Sequence, residues 1–88
     1  MRISALLETA SVKILLYLQE HGEVRYTDLT KLIGSRGTLS LNIKELEEER
    51  LIQRRILTTK PIQAYYSLTE KGKEIVSLLR KIETINIV

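Results

Sequence analysis

Ile62-Gln63-Ala64-Tyr65-Tyr66-Ser67-Leu68-Thr69-Glu70-Lys71-Gly72 changes its period part-way along. Up to Leu68 the segment is β-prone and reads as a strand. Thr69 then suits a helix cap, and a helix is predicted from about Glu70 to Thr84. Its positions Ile75, Leu78, Ile82 and Ile85 are spaced three, four and three, the narrow seam of a helix that pairs with another helix. Val76 and Leu79 widen that apolar face. Before this segment, Leu51 to Thr58 reads as a strand and Thr59-Lys60-Pro61 as a turn, where Pro61 limits ladder pairing. The two strands form a β-hairpin with a basic tip and base.

Further towards the N-terminus the period becomes helical. Leu39, Ile43 and Leu46 at i, i+4 and i+7 give one apolar stripe to a helix predicted over about Thr38 to Glu49. Gly34-Ser35-Arg36-Gly37 reads as a tight turn before it. A two-turn helix with Leu29, Leu32 and Ile33 on its buried side precedes that turn, with Thr27 as N-cap and Asp28 in the first turn. Glu23-Val24-Arg25-Tyr26 is a short β-prone stretch. The first helix, carrying Leu7, Ile14, Leu15 and Leu18, starts between Ser4 and Thr9, or later if Thr9 or Ser11 caps it, and ends near Glu20, with Gly22 at its C-cap. Ile3 to Leu7 reads as an extension that packs on something else.

The composition narrows the function. Eighty-eight residues make one domain, 1–88, expected to bury only about 60–65% of the surface its unfolded chain exposes. Thirty residues are Leu, Ile or Val and the only aromatics are four tyrosines, so the core is expected to be aliphatic. With no Cys and one His, disulfide, thiolate-metal and histidine-cluster chemistry are excluded within one chain. No Gly-rich phosphate loop is present, and Glu45, Glu47, Glu48 and Glu49 lie round a helix as a solvated face. Neither enzymatic activity nor a cofactor is expected. The longest apolar run, Ile14 to Leu18, is far too short to span a membrane, and Glu8 and Lys13 interrupt any signal-peptide core, so a cytoplasmic protein without a membrane partner is expected. The net charge of +3 is unevenly spread: residues 31–44 carry +3, residues 45–49 carry −4 and residues 50–69 carry +4. Two acid-free basic blocks of this kind suit a polyanion, or two solvated faces.

In its order of elements the chain resembles the winged helix-turn-helix family of transcriptional regulators, an α+β fold that is mostly α with a small β-hairpin. The resemblance covers roughly residues 9–80. Its motifs are Val24-Arg25-Tyr26-Thr27-Asp28-Leu29, Thr38-Leu39-Ser40, Ile43-Lys44-Glu45-Leu46-Glu47, Leu51-Ile52 and Tyr66-Ser67-Leu68-Thr69-Glu70-Lys71-Gly72, the last being the most specific. Within the family it looks most like HxlR-type and MarR-type regulators, and Lys60-Pro61 leans towards the former. Two positions depart from the pattern. Arg50 stands where the family usually has Gly before Leu51-Ile52, and Leu41 stands where a polar or basic reader is common. The resemblance also implies that an N-terminal cysteine switch, used by some HxlR-type sensors, is ruled out here.

In a helix-turn-helix the second helix enters the major groove of double-stranded DNA. Here that helix is 38–49, whose first half is acid-free through Lys44. The DNA-contact candidates are Thr27, Ser35, Arg36, Thr38, Ser40, Leu41, Asn42 and Lys44, joined by Arg55, Thr58, Thr59 and Lys60 of a wing over residues 55–62. Other readings stand beside these. Thr38 also fits an N-cap, Asn42 a solvated helix position, and Leu41 a partly buried or protein-contacting one. Arg54 can pair with a glutamate of the third helix, Tyr65 and Tyr66 suit packing, and His21 a helix end. A homodimer is expected, because one module makes few base contacts and symmetry doubles them. Ile3, Leu6, Ile75, Leu78, Ile82 and Ile85 are its interface candidates, with 70–88 as the dimerisation helix. The alternative function is a winged-helix protein–protein interaction module within a larger assembly. No residue pattern identifies a small-molecule effector.

Overall fold

The computed structural model describes residues 9–87. In chain order the elements are α1 (Ala10–His21), β1 (Val24–Arg25), α2 (Tyr26–Leu32), α3 (Arg36–Glu48), β2 (Ile52–Leu57), β3 (Gln63–Leu68) and α4 (Glu70–Ile87). The strands form one antiparallel sheet in the order β1-β3-β2, with Arg54 opposite Tyr66 and Arg55 opposite Tyr65. Among the described residues, four helices and this small sheet give the mostly helical winged architecture read from the element order.

Helix α1 lies at the centre and packs on α3, α4 and β3. It contributes Val12, Ile14, Leu15 and Leu18 to the core. Leu29, Leu39, Ile43, Leu46, Ile52, Tyr66, Leu68, Val76 and Leu79 close round them, so the core is aliphatic apart from one tyrosine. Tyr66 thus belongs to the core as expected, whereas Tyr65 lies half-buried on the sheet's other face.

Several boundaries differ from the sequence reading, each for a local reason. Helix α1 begins at Ala10, where the Thr9 side chain accepts from Val12 N at 3.4 Å. Helix α2 begins at Tyr26 rather than after Thr27, because Asp28 Oδ2 accepts from the Arg25 backbone N–H at 3.1 Å and moves the cap back two residues. Helix α3 begins at Arg36 rather than Thr38. Ser35 caps it, its hydroxyl accepting from Thr38 N at 3.2 Å, so Thr38 is not the cap. The connection between α2 and α3 is therefore Ile33-Gly34-Ser35, and Arg36 and Gly37 belong to the helix, not to a turn. Helix α4 continues past Thr84 to Ile87.

The Tyr66–Gly72 motif acts as a clasp between the end of α3 and the start of α4. Three successive carbonyls at the α3 terminus find donors there. Glu49 O accepts from Lys71 Nζ at 3.0 Å, Arg50 O from the Thr69 hydroxyl at 2.6 Å, and Leu51 O from Thr69 N at 3.1 Å. These groups would otherwise be left unsatisfied at a helix end. The Thr69 hydroxyl also accepts from Gly72 N at 3.0 Å, capping α4 as expected. Arg50 adopts φ 59°, so the left-handed turn is kept without the usual glycine. That conformation costs a non-Gly residue about 1–2 kcal/mol.

Candidate nucleic-acid interface

Helix α3 turns Leu39, Ile43 and Leu46 inward, which leaves Arg36, Gly37, Ser40, Leu41 and Lys44 on its exposed side. Thr38 is exposed on one flank. No acidic residue interrupts α3 before Glu45. Because α3 starts two residues early, Arg36 and Gly37 sit on its first turn. The exposed basic run is thus one helical turn with a second turn ending in Lys44.

Not all predicted readers point outward. Asn42 is half-buried and bridges α3 to α1: its Oδ1 accepts from the Ser11 hydroxyl, and its Nδ2 donates to Thr38 O at 2.7 Å. Ser40 lies 3.3 Å from the Tyr26 hydroxyl, and the Tyr26 ring packs obliquely on Tyr66 with centroids 6.3 Å apart. Tyr26 therefore joins α3 to the sheet. Ser40, Lys44, Glu47, Arg54, Tyr26 and Tyr66 line one cleft between them. Thr27 is exposed at the start of α2 and lines a second cleft with Ile62 and Gln63 of the wing.

On the wing, Thr58, Thr59 and Lys60 are exposed in the turn between β2 and β3. Arg54 lies 4.0 Å from Glu47, the pairing expected for it. Burial holds the Tyr66 phenol above its ordinary pKa, and the nearby Glu47 carboxylate adds to this. Arg55 is held by an acid far away in sequence. Its Nη2 and Nε donate to the two Glu23 carboxylate oxygens at 2.6 and 3.0 Å, and its guanidinium stacks 4.9 Å from the Tyr65 ring centroid. The hydrogen-bonded Arg55 lowers the Glu23 pKa below its usual carboxylate value. No local signal marks this pair, because the two residues are 32 positions apart. Among the described residues no group of His, Cys, Asp and Glu could hold a metal ion, and no helix is long and apolar enough to cross a membrane.

Helix α4 divides its apolar residues between two sides. Val76 and Leu79 face the core, whereas Leu78 and Ile85 are 55% and 69% exposed, with Ile75 and Ile82 half-buried between them. Ile75 of the predicted seam packs on the core beside Val76 and Leu79, which widen its apolar face as expected, and Leu78 and Ile85 form the side left open. Arg80 fixes the helix on α1 through Gln19 at 2.6 Å and Glu20 at 2.9 Å, and pairs with Glu83 at 3.0 Å. His21 ends α1 and packs on Tyr17, as expected of a helix-end residue. Ile3 and Leu6, the remaining interface candidates, lie outside the described residues.

A helix-turn-helix followed by a two-stranded wing and a long returning helix defines a winged helix-turn-helix protein of the regulator type. The chain belongs to the HxlR-like helix-turn-helix family, whose model matches residues 8–86. It is similar to the HTH-type transcriptional regulator YodB of Bacillus subtilis, 26% identical over 72 residues. It is also similar to BH0655 of Halalkalibacterium halodurans, an uncharacterised HTH-type transcriptional regulator, at 32% over 71 residues. These matches cover 80% and 78% of this chain but only 64% and 63% of the relatives' own lengths. The reduced form of YodB superposes with a TM-score of 0.77 at 28% identity, covering 92% of this chain and 80% of that one. A transcriptional regulator homologue from Pyrococcus horikoshii shares the fold with a TM-score of 0.80 at 17% identity, covering 96% of this chain and 86% of that one.

Proposed function

We propose that the chain is a sequence-specific double-stranded DNA-binding transcriptional regulator that acts as a cytoplasmic homodimer. The observation that carries this is the exposed, acid-free first half of α3, with Arg36, Thr38, Leu41 and Lys44 facing solvent. A helix is about the right width for the major groove, and Arg, Lys and hydroxyl side chains suit phosphates and base edges there. The wing turn, with Thr58, Thr59 and Lys60, lies on the flanking backbone or minor groove. Ser35 and Thr27 serve as neutral phosphate contacts beside helix starts, and Arg55 joins only by leaving Glu23. Ser40 and Asn42 contribute through the positions of Tyr26 and α1 rather than as free readers. The names of the matched relatives, all HTH-type transcriptional regulators, support the same reading.

The partner copy pairs through the exposed side of α4 around Leu78 and Ile85, with Ile75 and Ile82. Two-fold symmetry then sets two half-sites about one helical turn, or a multiple of it, apart. Selection of bound duplexes from a random pool tests binding, symmetry and spacing together. If each protomer neutralises about three to four phosphates, log affinity falls against log salt with a slope of roughly −5 to −7. Arg36→Ala and Lys44→Ala both weaken binding, and Glu47→Ala does not. A flat salt response, or pull-down partners with no DNA affinity, overturns the reading in favour of a protein-interaction module.

A further inference from the structure

We propose that Leu41 reads the 5-methyl group of a thymine at one position of each DNA half-site, an inference that rests on the function proposed above. Leu41 is 57% exposed on the side of α3 opposite Leu39, Ile43 and Leu46, so no packing among the described residues accounts for it. One turn earlier on that side stands Gly37, whose missing side chain leaves space with only Ser35 Oγ as near as 4.0 Å. Residues i and i+4 of a helix lie one above the other. The first turn of α3 is thus slim where it would enter the groove, and Leu41 is the bulkiest apolar group behind it.

The polar residues on either side are already committed. The Asn42 amide is bonded to Ser11 and to Thr38 O, and Ser40 is bonded to Tyr26. Among the described residues, what remains free at the centre of the face is apolar at Leu41 and cationic at Lys44 and Arg36. Of the groups displayed in the major groove, the thymine methyl is the one that an aliphatic side chain complements, and the cations are left for phosphate or guanine.

The test uses the full chain and duplexes obtained by the selection above, with each thymine replaced singly by deoxyuridine. This change removes the methyl group and keeps the pairing edge and O4. Binding is followed by fluorescence anisotropy. At one thymine per half-site the substitution weakens binding roughly fourfold, the equivalent of about 0.8 kcal/mol for one methyl-sized group withdrawn from water. Leu41→Ala keeps the wild-type melting midpoint, since the side chain is exposed, and binds thymine and uracil duplexes equally. Single substitutions that all stay within twofold overturn the inference, and so does a Leu41→Ala variant that still distinguishes the two duplexes. Those results leave the DNA-binding reading intact. Failure to bind any duplex instead refutes that reading, and the inference with it.

Discussion

Replacing Gly72 by alanine is the sharpest probe of the clasp that sets α4 against the end of α3. A Cβ at Gly72 would lie 2.0 Å from Leu51 O and 3.0 Å from its carbonyl carbon, both backbone atoms. Ordinary contact begins at 3.4 Å, so the start of α4 must retreat by about 1.4 Å, the difference between 3.4 and 2.0 Å. A retreat of that size breaks the bonds from Thr69 to Leu51 O and Arg50 O, now 3.1 and 2.6 Å long. Overpacking costs about 1–3 kcal/mol and each lost hydrogen bond about 0.5–1.5 kcal/mol. The better helix propensity of alanine returns about 1 kcal/mol. The net expectation is a destabilisation of about 3 kcal/mol. For a domain of this size that lowers the melting midpoint by roughly 12–24 °C. Urea denaturation of both proteins at one fixed concentration measures it, since the dimer proposed above makes apparent stability depend on concentration. A Gly72→Ala protein within about 0.5 kcal/mol of wild type, inside the ordinary scatter of neutral substitutions, refutes the steric argument.

Three further outcomes are expected. Arg50→Gly relieves the φ of 59° while leaving the Arg50 carbonyl bonded to Thr69, and raises stability by about 0.5–1 kcal/mol in the same denaturation assay. Glu23→Gln frees Arg55. Because the Glu23 pKa is depressed in the fold, the stabilisation from this pair is present above the unfolded carboxylate pKa and lost as pH falls through the folded one. The stability difference between wild type and Glu23→Gln is therefore seen at neutral pH and closes in acid, and the released Arg55 steepens the salt slope of DNA binding by about 1 per protomer. Identical pH profiles and slopes for the two proteins would contradict both halves of that statement. The double change of Leu78 and Ile85 to glutamate places charges on the exposed side of α4 and gives a monomer by light scattering at tens of micromolar, whereas a surviving dimer moves the interface elsewhere.

Much of the architecture could be read locally. The period change at Thr69, the i, i+4, i+7 stripe of Leu39, Ile43 and Leu46, and the turn before Pro61 depend on neighbours a few residues away, and such neighbours are visible in a sequence. The boundaries that shifted also turned on local competition. Ser35 and Thr38 are both acceptable caps, and Ser35 wins because its hydroxyl accepts from Thr38 N, which winds Arg36 and Gly37 into α3. Arg50 carries its own lesson: the chain keeps a glycine-type turn because three carbonyls there are satisfied from the following strand and helix.

The sequence by itself determined the winged helix-turn-helix, the aliphatic core and the basic first half of α3, because periodicity, capping and charge order are properties of short segments. Only the tertiary structure decided which of the candidate readers are free. Asn42 is taken by Ser11, Ser40 by Tyr26 and Arg55 by Glu23, pairs separated by 31, 14 and 32 residues. It also decided which side of α4 is left over, turning Val76 and Leu79 into the core and Leu78 and Ile85 to solvent. Periodicity shows that a helix has apolar faces, but which face meets the core depends on where α1 and the sheet come to lie, and that is set by the packing of the whole domain.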